Sequence, residues 1–130
     1  MVLHRQSLNL YNTRRMNKIT IDAKGKSLGR IAAEAASILN GKTSVEFAKN
    51  KVVDVAVEIV NAGGLVITEK KDLQTKFARY SGYPGGLRIE TLKQLRTRGG
   101  NTKALSQAIK GMLPINKLRN ERMKNLTITE

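Results

Sequence analysis

The chain has 130 residues, with 24 Lys and Arg against 10 Asp and Glu and a formal net charge of +14. It contains no cysteine, which excludes disulfides and thiolate metal sites. Its single histidine, His4, lies near the amino terminus and is the one imidazole that a Ser-His-Asp catalytic triad could use. No apolar run approaches the roughly 20 residues that span a bilayer, and the amino terminus lacks a secretion signal, so we expect a cytoplasmic protein. We also expect no metal and no cofactor.

The positive charge is concentrated in two stretches of the chain. Residues 1–51 carry 10 basic and 3 acidic side chains, and residues 76–124 carry 12 and 2, whereas residues 52–75 carry 2 and 4. Self-repulsion of this size opposes a compact state, and a bound polyanion relieves it. The composition therefore favours a nucleic-acid partner over an anionic membrane surface.

The amino-terminal region predicts an extension followed by a strand and a helix. Residues 1–18 are basic and polar without hydrophobic period, which is typical of an extension that lies on a partner or of a disordered tail. Residues 19–23 favour a strand, and the apolar stripe from Leu28 to Leu39 favours a helix. Ser27 is a suitable helix N-cap, and Gly41 supplies the stop.

Three cations, Lys24, Lys26 and Arg30, surround the start of this predicted helix. A helix N-terminus attracts anions, so the cluster predicts a phosphate contact, with a solvated charged turn as the alternative. The run Gly25-Lys26-Ser27 matches the end of a nucleotide-binding P-loop. That motif needs glycine at position 20, where this chain has Thr20, so the pattern does not support nucleotide catalysis.

The middle of the chain predicts strands. Val53, Val55, Val57 and Ile59 alternate with more polar residues, as in a strand with one buried face. Residues 61–64 form a turn signal, and residues 65–68 predict a second short strand.

The segment Arg79 to Arg88 contains three glycines and a proline between two arginines and two tyrosines. This composition predicts an ordered surface loop, because glycine permits unusual backbone angles and a close approach by another backbone. Arginine offers a planar cationic fork and tyrosine a flat face, which suits a phosphate-rich partner. The alternative is a tight turn whose charges serve solubility.

Helical patterns dominate the carboxyl-terminal part. Leu92 and Leu95 predict a short helix that ends at residues 99–100, and Asn101 or Thr102 caps the next helix. A last basic helix is predicted at residues 116–124, with its outward side chains at Lys117, Arg119, Arg122 and Lys124. A strand is predicted to follow at residues 126–129. Strands alternating with helices predict one α/β domain over residues 19–130 with a small, largely parallel sheet.

Three motifs together resemble the large-subunit ribosomal protein L13 family of bacterial type. They are Ile21-Asp-Ala-Lys-Gly-Lys-Ser-Leu-Gly-Arg30, Ser81-Gly-Tyr-Pro-Gly-Gly86 and Gly111-Met-Leu-Pro-Ile-Asn-Lys-Leu118. The resemblance covers residues 19–126 and implies a three-layer α/β/α fold with a four-stranded parallel sheet. It also implies a structural, non-enzymatic protein that binds large-subunit ribosomal RNA, contacts neighbouring ribosomal proteins and enters subunit assembly early.

Matching positions in these motifs carry the expected RNA contacts. The resemblance and the loop composition together give the candidate RNA-binding residues Lys24, Lys26, Arg30, Arg79, Tyr83, Gly85, Gly86, Arg88 and Lys117. The expected mechanism is neutralisation of phosphates by Lys and Arg and recognition of RNA shape, since few aromatic residues are present to stack on single-stranded bases.

Two other functions fit parts of the sequence. A small nucleotide-binding enzyme on a doubly wound sheet is disfavoured by the incomplete phosphate-loop motif and by the lack of a carboxylate, His or Cys cluster, and it would need a small-molecule substrate. A basic adaptor on an anionic membrane would need a basic amphipathic helix with large apolar anchors, which the sequence does not contain.

Overall fold

The computed structural model describes residues 17–130, in which a small parallel sheet is built from three strands that are distant in sequence. These strands are β1 (Asn17–Asp22), β2 (Val55–Val60) and β5 (Leu126–Ile128), in the order β1–β2–β5. Ile21 lies beside Ile59, and Ile59 beside Ile128, so apolar side chains of all three strands share one face. The predicted α/β class is confirmed.

Helix α1 (Leu28–Asn40) follows β1 and has the bounds that the apolar stripe predicted. It begins after Ser27, and it ends at Gly41, whose φ of 86° lies in the left-handed region. The N–H of Gly41 donates to the carbonyl of Ile38 at 3.0 Å, which satisfies an end carbonyl of the helix. The helix packs against β2 and against the long helix near the carboxyl end.

That long helix, α3 (Leu92–Met112), is broken at Gly100, where φ is 71° and ψ is −174°. Its start has a capping box: the Thr91 hydroxyl accepts from the Gln94 N–H, and the Gln94 side chain accepts from the Thr91 N–H. The break at the glycine pair was predicted. The side chains of Asn101 and Thr102, predicted as caps, bond instead to the Ala62 carbonyl and to Glu130.

A single hydrophobic core joins one face of the sheet to α1 and α3. Its fully buried side chains include Ile31, Val57, Ile59, Leu92, Leu105 and Ile109. The other face of the sheet is polar: Lys18 and Thr20 are exposed, and Lys18 forms an ion pair with Glu58 at 2.8 Å.

Residues 79–88 form the end of a β-hairpin rather than a loop throughout. Strands β3 (Lys76–Tyr80) and β4 (Leu87–Thr91) pair antiparallel and make a second, separate sheet. Only residues 81–86 form the turn, because glycine and proline occupy this centre while the flanking residues alternate as strands do. Before the hairpin lie a short 3-10 turn (Ala62–Gly64), where the sequence predicted a turn, and helix α2 (Glu69–Gln74), which the sequence had not indicated.

The last helix, α4 (Leu118–Lys124), corrects one expectation about side-chain direction. Arg122 was predicted to point outward, but it is 1% exposed. Its Nη2 donates to the Lys51 carbonyl at 3.4 Å, and its Nε and Nη1 have no hydrogen-bond partner among the described residues. Arg122 is the buried residue of this helix, and Met123 beside it packs against the core.

Two further expectations differ from the structure in detail. The parallel sheet has three strands in residues 17–130 where the resemblance implied four, because residues 65–68 contribute only a single bridge between Val66 and Ser27. An extension was predicted at residues 1–18. Residues 1–16 lie outside the described part of the chain, and Asn17 and Lys18 belong to β1.

Candidate nucleic-acid interface

The tip of the hairpin is a tight turn that holds an exposed tyrosine. The Gly86 N–H donates to the Tyr83 carbonyl at 3.0 Å, and Gly82 and Gly85 have positive φ angles of 88° and 75°. These angles are strained for other residues, which explains two of the glycines. Glycine at position 86 is required for a different reason, because a Cβ there would collide with the Ser81 hydroxyl and lie 3.0 Å from the Tyr83 carbonyl oxygen. The turn therefore presents Tyr83 in a fixed position with 76% of it exposed.

Behind this turn, two arginines lie directly opposite each other. Arg79 of β3 pairs in register with Arg88 of β4, so both side chains leave the same face of the hairpin. Like charges at opposed positions destabilise an antiparallel pair. No carboxylate within residues 17–130 forms an ion pair with either arginine. An anion between the two guanidinium groups would relieve their repulsion.

The same face of the hairpin forms a cleft with α3. The cleft has a volume of about 80 Å³. Four of its lining residues are basic, namely Arg79, Arg88, Arg98 and Lys103, and the others are Phe77, Ala78, Glu90, Leu95 and Gln107. Arg98 is held by two contacts of 2.9 Å to Glu90, Nη1 to Oε1 and Nη2 to Oε2. One carboxylate thus faces four cations, and the cleft keeps a strong positive charge.

A second basic cluster lies at the turn between β1 and α1. Lys24, Lys26 and Arg30 are exposed there, at a helix start that has no acidic residue in its first turn and no side-chain cap. Gly25 takes a positive φ of 73°, and its N–H donates to the Gly64 carbonyl at 3.0 Å. The free N–H groups of the helix start and the three cations make this turn suited to an anion.

Asp22 fixes the geometry of this turn. Its Oδ1 accepts from the Lys24 N–H and from the Asn61 amide, both at 3.0 Å. The hydrogen bond from the Lys24 backbone, then that from Asn61, lowers the pKa of the Asp22 carboxyl, with help from the positive charges of Lys26 and Lys24. Asp22 is thus charged at neutral pH, and it orders the backbone between the two lysines.

Lys117 stands apart from both clusters, at the N-terminus of α4. The buried side chain of Leu113 anchors the segment before it, and the Arg119 N–H donates to the Asn116 carbonyl at 3.3 Å. Lys117 itself is exposed.

The structure therefore divides the predicted residues into three groups. Arg79, Arg88, Gly85 and Gly86 line one surface of the hairpin, and Tyr83 lies in its turn. Lys24, Lys26 and Arg30 form the second group and Lys117 the third. Arg98 and Lys103 were not predicted; they join the first group because α3 packs beside the hairpin, and only the basic charge of residues 76–124 hinted at them.

Residues 17–130 contain no group of three or more His, Cys, Asp or Glu side chains arranged to hold a metal ion. No helix in the same range is long and apolar enough to cross a membrane.

Comparison with known proteins gives one consistent result. The sequence profile of the family described as Ribosomal protein L13 matches residues 16–130. A large ribosomal subunit protein uL13 from Prochlorococcus marinus (strain MIT 9301) is 39% identical over 112 residues, covering 86% of this chain and 78% of that protein. Proteins of the same description from Mycoplasmopsis synoviae (strain 53) and Pelotomaculum thermopropionicum are 39% and 43% identical over 121 and 109 residues. These matches cover 92% and 83% of this chain, and 83% and 74% of those proteins.

Proposed function

The chain belongs to the ribosomal protein L13 family, and from this premise we propose that it binds large-subunit ribosomal RNA and supports an early step of subunit assembly. Membership of this family gives it a structural role on the ribosome and not an enzymatic one. Its partners are then the RNA of the large subunit and the proteins that neighbour it there.

The hairpin cleft is the observation that supports RNA binding most strongly. Arg79 and Arg88 repel each other across the strand pair, and Arg98 and Lys103 line the same cleft. An anion that enters the cleft reduces this repulsion and so stabilises the folded protein. Phosphates of an RNA backbone supply that charge, and their binding releases condensed counterions.

The other two groups extend the proposed interface. The turn at Lys24, Lys26 and Arg30 offers backbone N–H groups and cations to a second phosphate, and Lys117 offers a third contact. None of these groups resembles a pocket for a base, so the protein recognises the shape and spacing of phosphates in folded RNA.

Removal of the opposed arginines tests the proposal. The variant Arg79→Gln/Arg88→Gln and the wild type are compared for binding to a large-subunit ribosomal RNA transcript by filter retention, with small-subunit ribosomal RNA as competitor. Loss of the charges that face the cleft is expected to weaken binding about tenfold. Thermal stability is expected to stay constant or rise, since the repulsive pair is gone.

A matched control separates the cleft from overall charge. The variant Lys70→Gln/Lys71→Gln removes the same charge from exposed positions of α2. It is expected to bind almost as well as the wild type. Equal weakening by both double variants would mean that net charge alone drives binding, and no weakening by either would exclude the cleft.

The assembly role is tested by order of addition. Large subunits are reconstituted from RNA and proteins with this chain added first, added last or left out. An early role predicts that late addition slows formation of the complete particle, and equal rates would exclude that role.

A further inference from the structure

The β-hairpin has two faces of opposite chemistry. In the antiparallel register Ala78 lies opposite Ile89, and Tyr80 lies opposite Leu87, so these four side chains are on the other face of the hairpin from Arg79 and Arg88. We call them the apolar hairpin face. Ala78 also borders the basic cleft. Tyr80 is 63% exposed, Leu87 57% and Ile89 58%.

This face is not part of the protein core. Phe77, on the other side of β3, is the hairpin residue that packs against the core. Exposed single apolar residues are ordinary on a protein surface, but contiguous apolar patches on the order of a few hundred Å² usually mark an interaction site. Three large apolar side chains at adjacent positions of two paired strands form such a patch.

The charge of this face argues for a protein as its partner. The four residues carry no charge, whereas the opposite face collects Arg79 and Arg88 and borders Arg98 and Lys103. An RNA backbone is attracted to the second face and gains nothing from the first, because its phosphates would lose water without meeting a cation. A neutral apolar surface of another protein complements the apolar hairpin face.

The size of the patch argues against a second copy of this chain. A stable dimer buries about 800 Å² on each partner, which is more than four residues of a hairpin offer. The net charge of +14 also makes two copies repel each other. A small apolar contact is sufficient when both proteins are already held on the same RNA, because each is then at high effective concentration for the other.

We infer that the apolar hairpin face docks onto an uncharged, apolar surface of another large-subunit protein, while the opposite face of the same hairpin holds RNA. This inference rests on the proposed function, since the shared RNA brings the two proteins together. The hairpin is then inserted between a phosphate backbone and a neighbouring protein.

A polar variant of this face tests the inference. The variant Leu87→Thr/Ile89→Thr keeps residues that favour strands and removes most of the apolar surface. The control variant Val45→Thr/Leu73→Gln removes two exposed apolar side chains outside the hairpin. Each variant competes with an equal amount of wild type during reconstitution of large subunits from RNA and the complete set of proteins, and mass spectrometry gives the ratio that is incorporated.

Two results are expected together. The hairpin variant binds naked large-subunit RNA as the wild type does but is under-represented in reconstituted subunits by about fivefold or more, as for the loss of a contact at the centre of an interface. The control variant is incorporated equally. If the wild type does not bind the RNA, the proposed function fails; if it binds and the hairpin variant is incorporated equally, only the present inference fails.

Crosslinking identifies the occupant directly and does not depend on how the double variant folds. A photoreactive amino acid at position 87 of the full chain is activated in reconstituted subunits. A crosslink to another ribosomal protein is the expected product. A crosslink to RNA alone, or to a second copy of this chain, would overturn the inference.

Discussion

At the hairpin turn, the space around Gly86 is too small for a side chain. Its φ is not in the left-handed region, so conformational freedom is not why glycine is needed there, contrary to one part of the expectation from sequence. The constraint is steric, because the Ser81 hydroxyl and the Tyr83 carbonyl oxygen occupy the place of a Cβ. Gly85, by contrast, has the positive φ that was expected.

This difference gives a prediction for Gly86→Ala. The added methyl group must displace Ser81 or widen the turn, so RNA affinity is expected to fall several-fold with a loss of stability of roughly 1 kcal/mol. The double variant Ser81→Ala/Gly86→Ala removes the hydroxyl that collides and should recover part of the affinity. Filter binding and thermal melting measure both effects. No recovery in the double variant would show that the turn fails for another reason.

Arg122 is buried, although arginine side chains are usually exposed. A buried guanidinium with two donors unsatisfied among residues 17–130 costs free energy, because desolvation is not offset by a carboxylate. The variant Arg122→Met keeps the volume and removes the charge. Its free energy of unfolding is expected to equal that of the wild type or to exceed it by about 1–3 kcal/mol.

Urea denaturation checks the Arg122 prediction. Arg119→Met, on the same helix and only half-buried, serves as control and is expected to change stability within about 0.5 kcal/mol. A clear loss of stability in Arg122→Met alone would mean that the guanidinium is paired in the folded protein.

Among the elements, those with a hydrophobic period were predictable and those defined by tertiary packing were not. Helix α1 and strand β2 carry their apolar stripes in the sequence, and the stop at Gly41 is a local signal. Strands β3 and β4 were missed because glycine and proline between them dominate the pattern. Helix α2 was missed because Glu69–Gln74 has no buried side chain, so no period marks it.

The candidate site was predictable in the same unequal way. Arg79 and Arg88 were found from composition, but their register across the hairpin needs the pairing of β3 with β4. Arg98 and Lys103 reach the cleft through the packing of α3, which no local pattern encodes. Arg122 is buried against the Lys51 carbonyl, a contact between residues distant in sequence, whereas arginine is usually exposed.

Helix α3 depends on a break at one residue, and this gives an element-scale prediction. Gly100 has a φ of 71° and a ψ of −174°, a region that other residues almost never adopt, and a Cβ there would lie 2.9 Å from Glu130 Oε1. Gly100→Ala is therefore expected to lower the free energy of unfolding by roughly 1–3 kcal/mol.

A second glycine of the same helix is the matched control. Gly111 has open space where its Cβ would lie and has no positive φ. Gly111→Ala is expected to leave stability unchanged or to raise it by about 0.5–1 kcal/mol, since alanine favours helices. Equal effects of both variants in denaturant titrations would contradict the role of the break.

For the whole molecule, we expect the affinity for RNA to fall steeply as the salt concentration rises. The net charge of +14 and the three groups of exposed cations predict that most of the binding free energy is electrostatic. If about six to ten phosphates are neutralised, the slope of log affinity against log salt has a magnitude of at least about 4. Binding titrations between low and moderate salt measure this slope, and a value near zero would exclude the electrostatic mechanism.

The parallel order of β1, β2 and β5 has a practical consequence for labelling the protein. Parallel strands end at one edge of their sheet, and here the Ala62 N–H donates to the Thr129 carbonyl at 3.1 Å, while the Gly25 N–H donates to the Gly64 carbonyl at 3.0 Å. The Glu130 side chain is itself tied to Thr102 at 3.2 Å. A fluorophore attached at position 130 is therefore expected to lie near the turn between β1 and α1 and to change its emission if RNA binds there as proposed, and a bulky affinity tag at the same position is expected to weaken that binding.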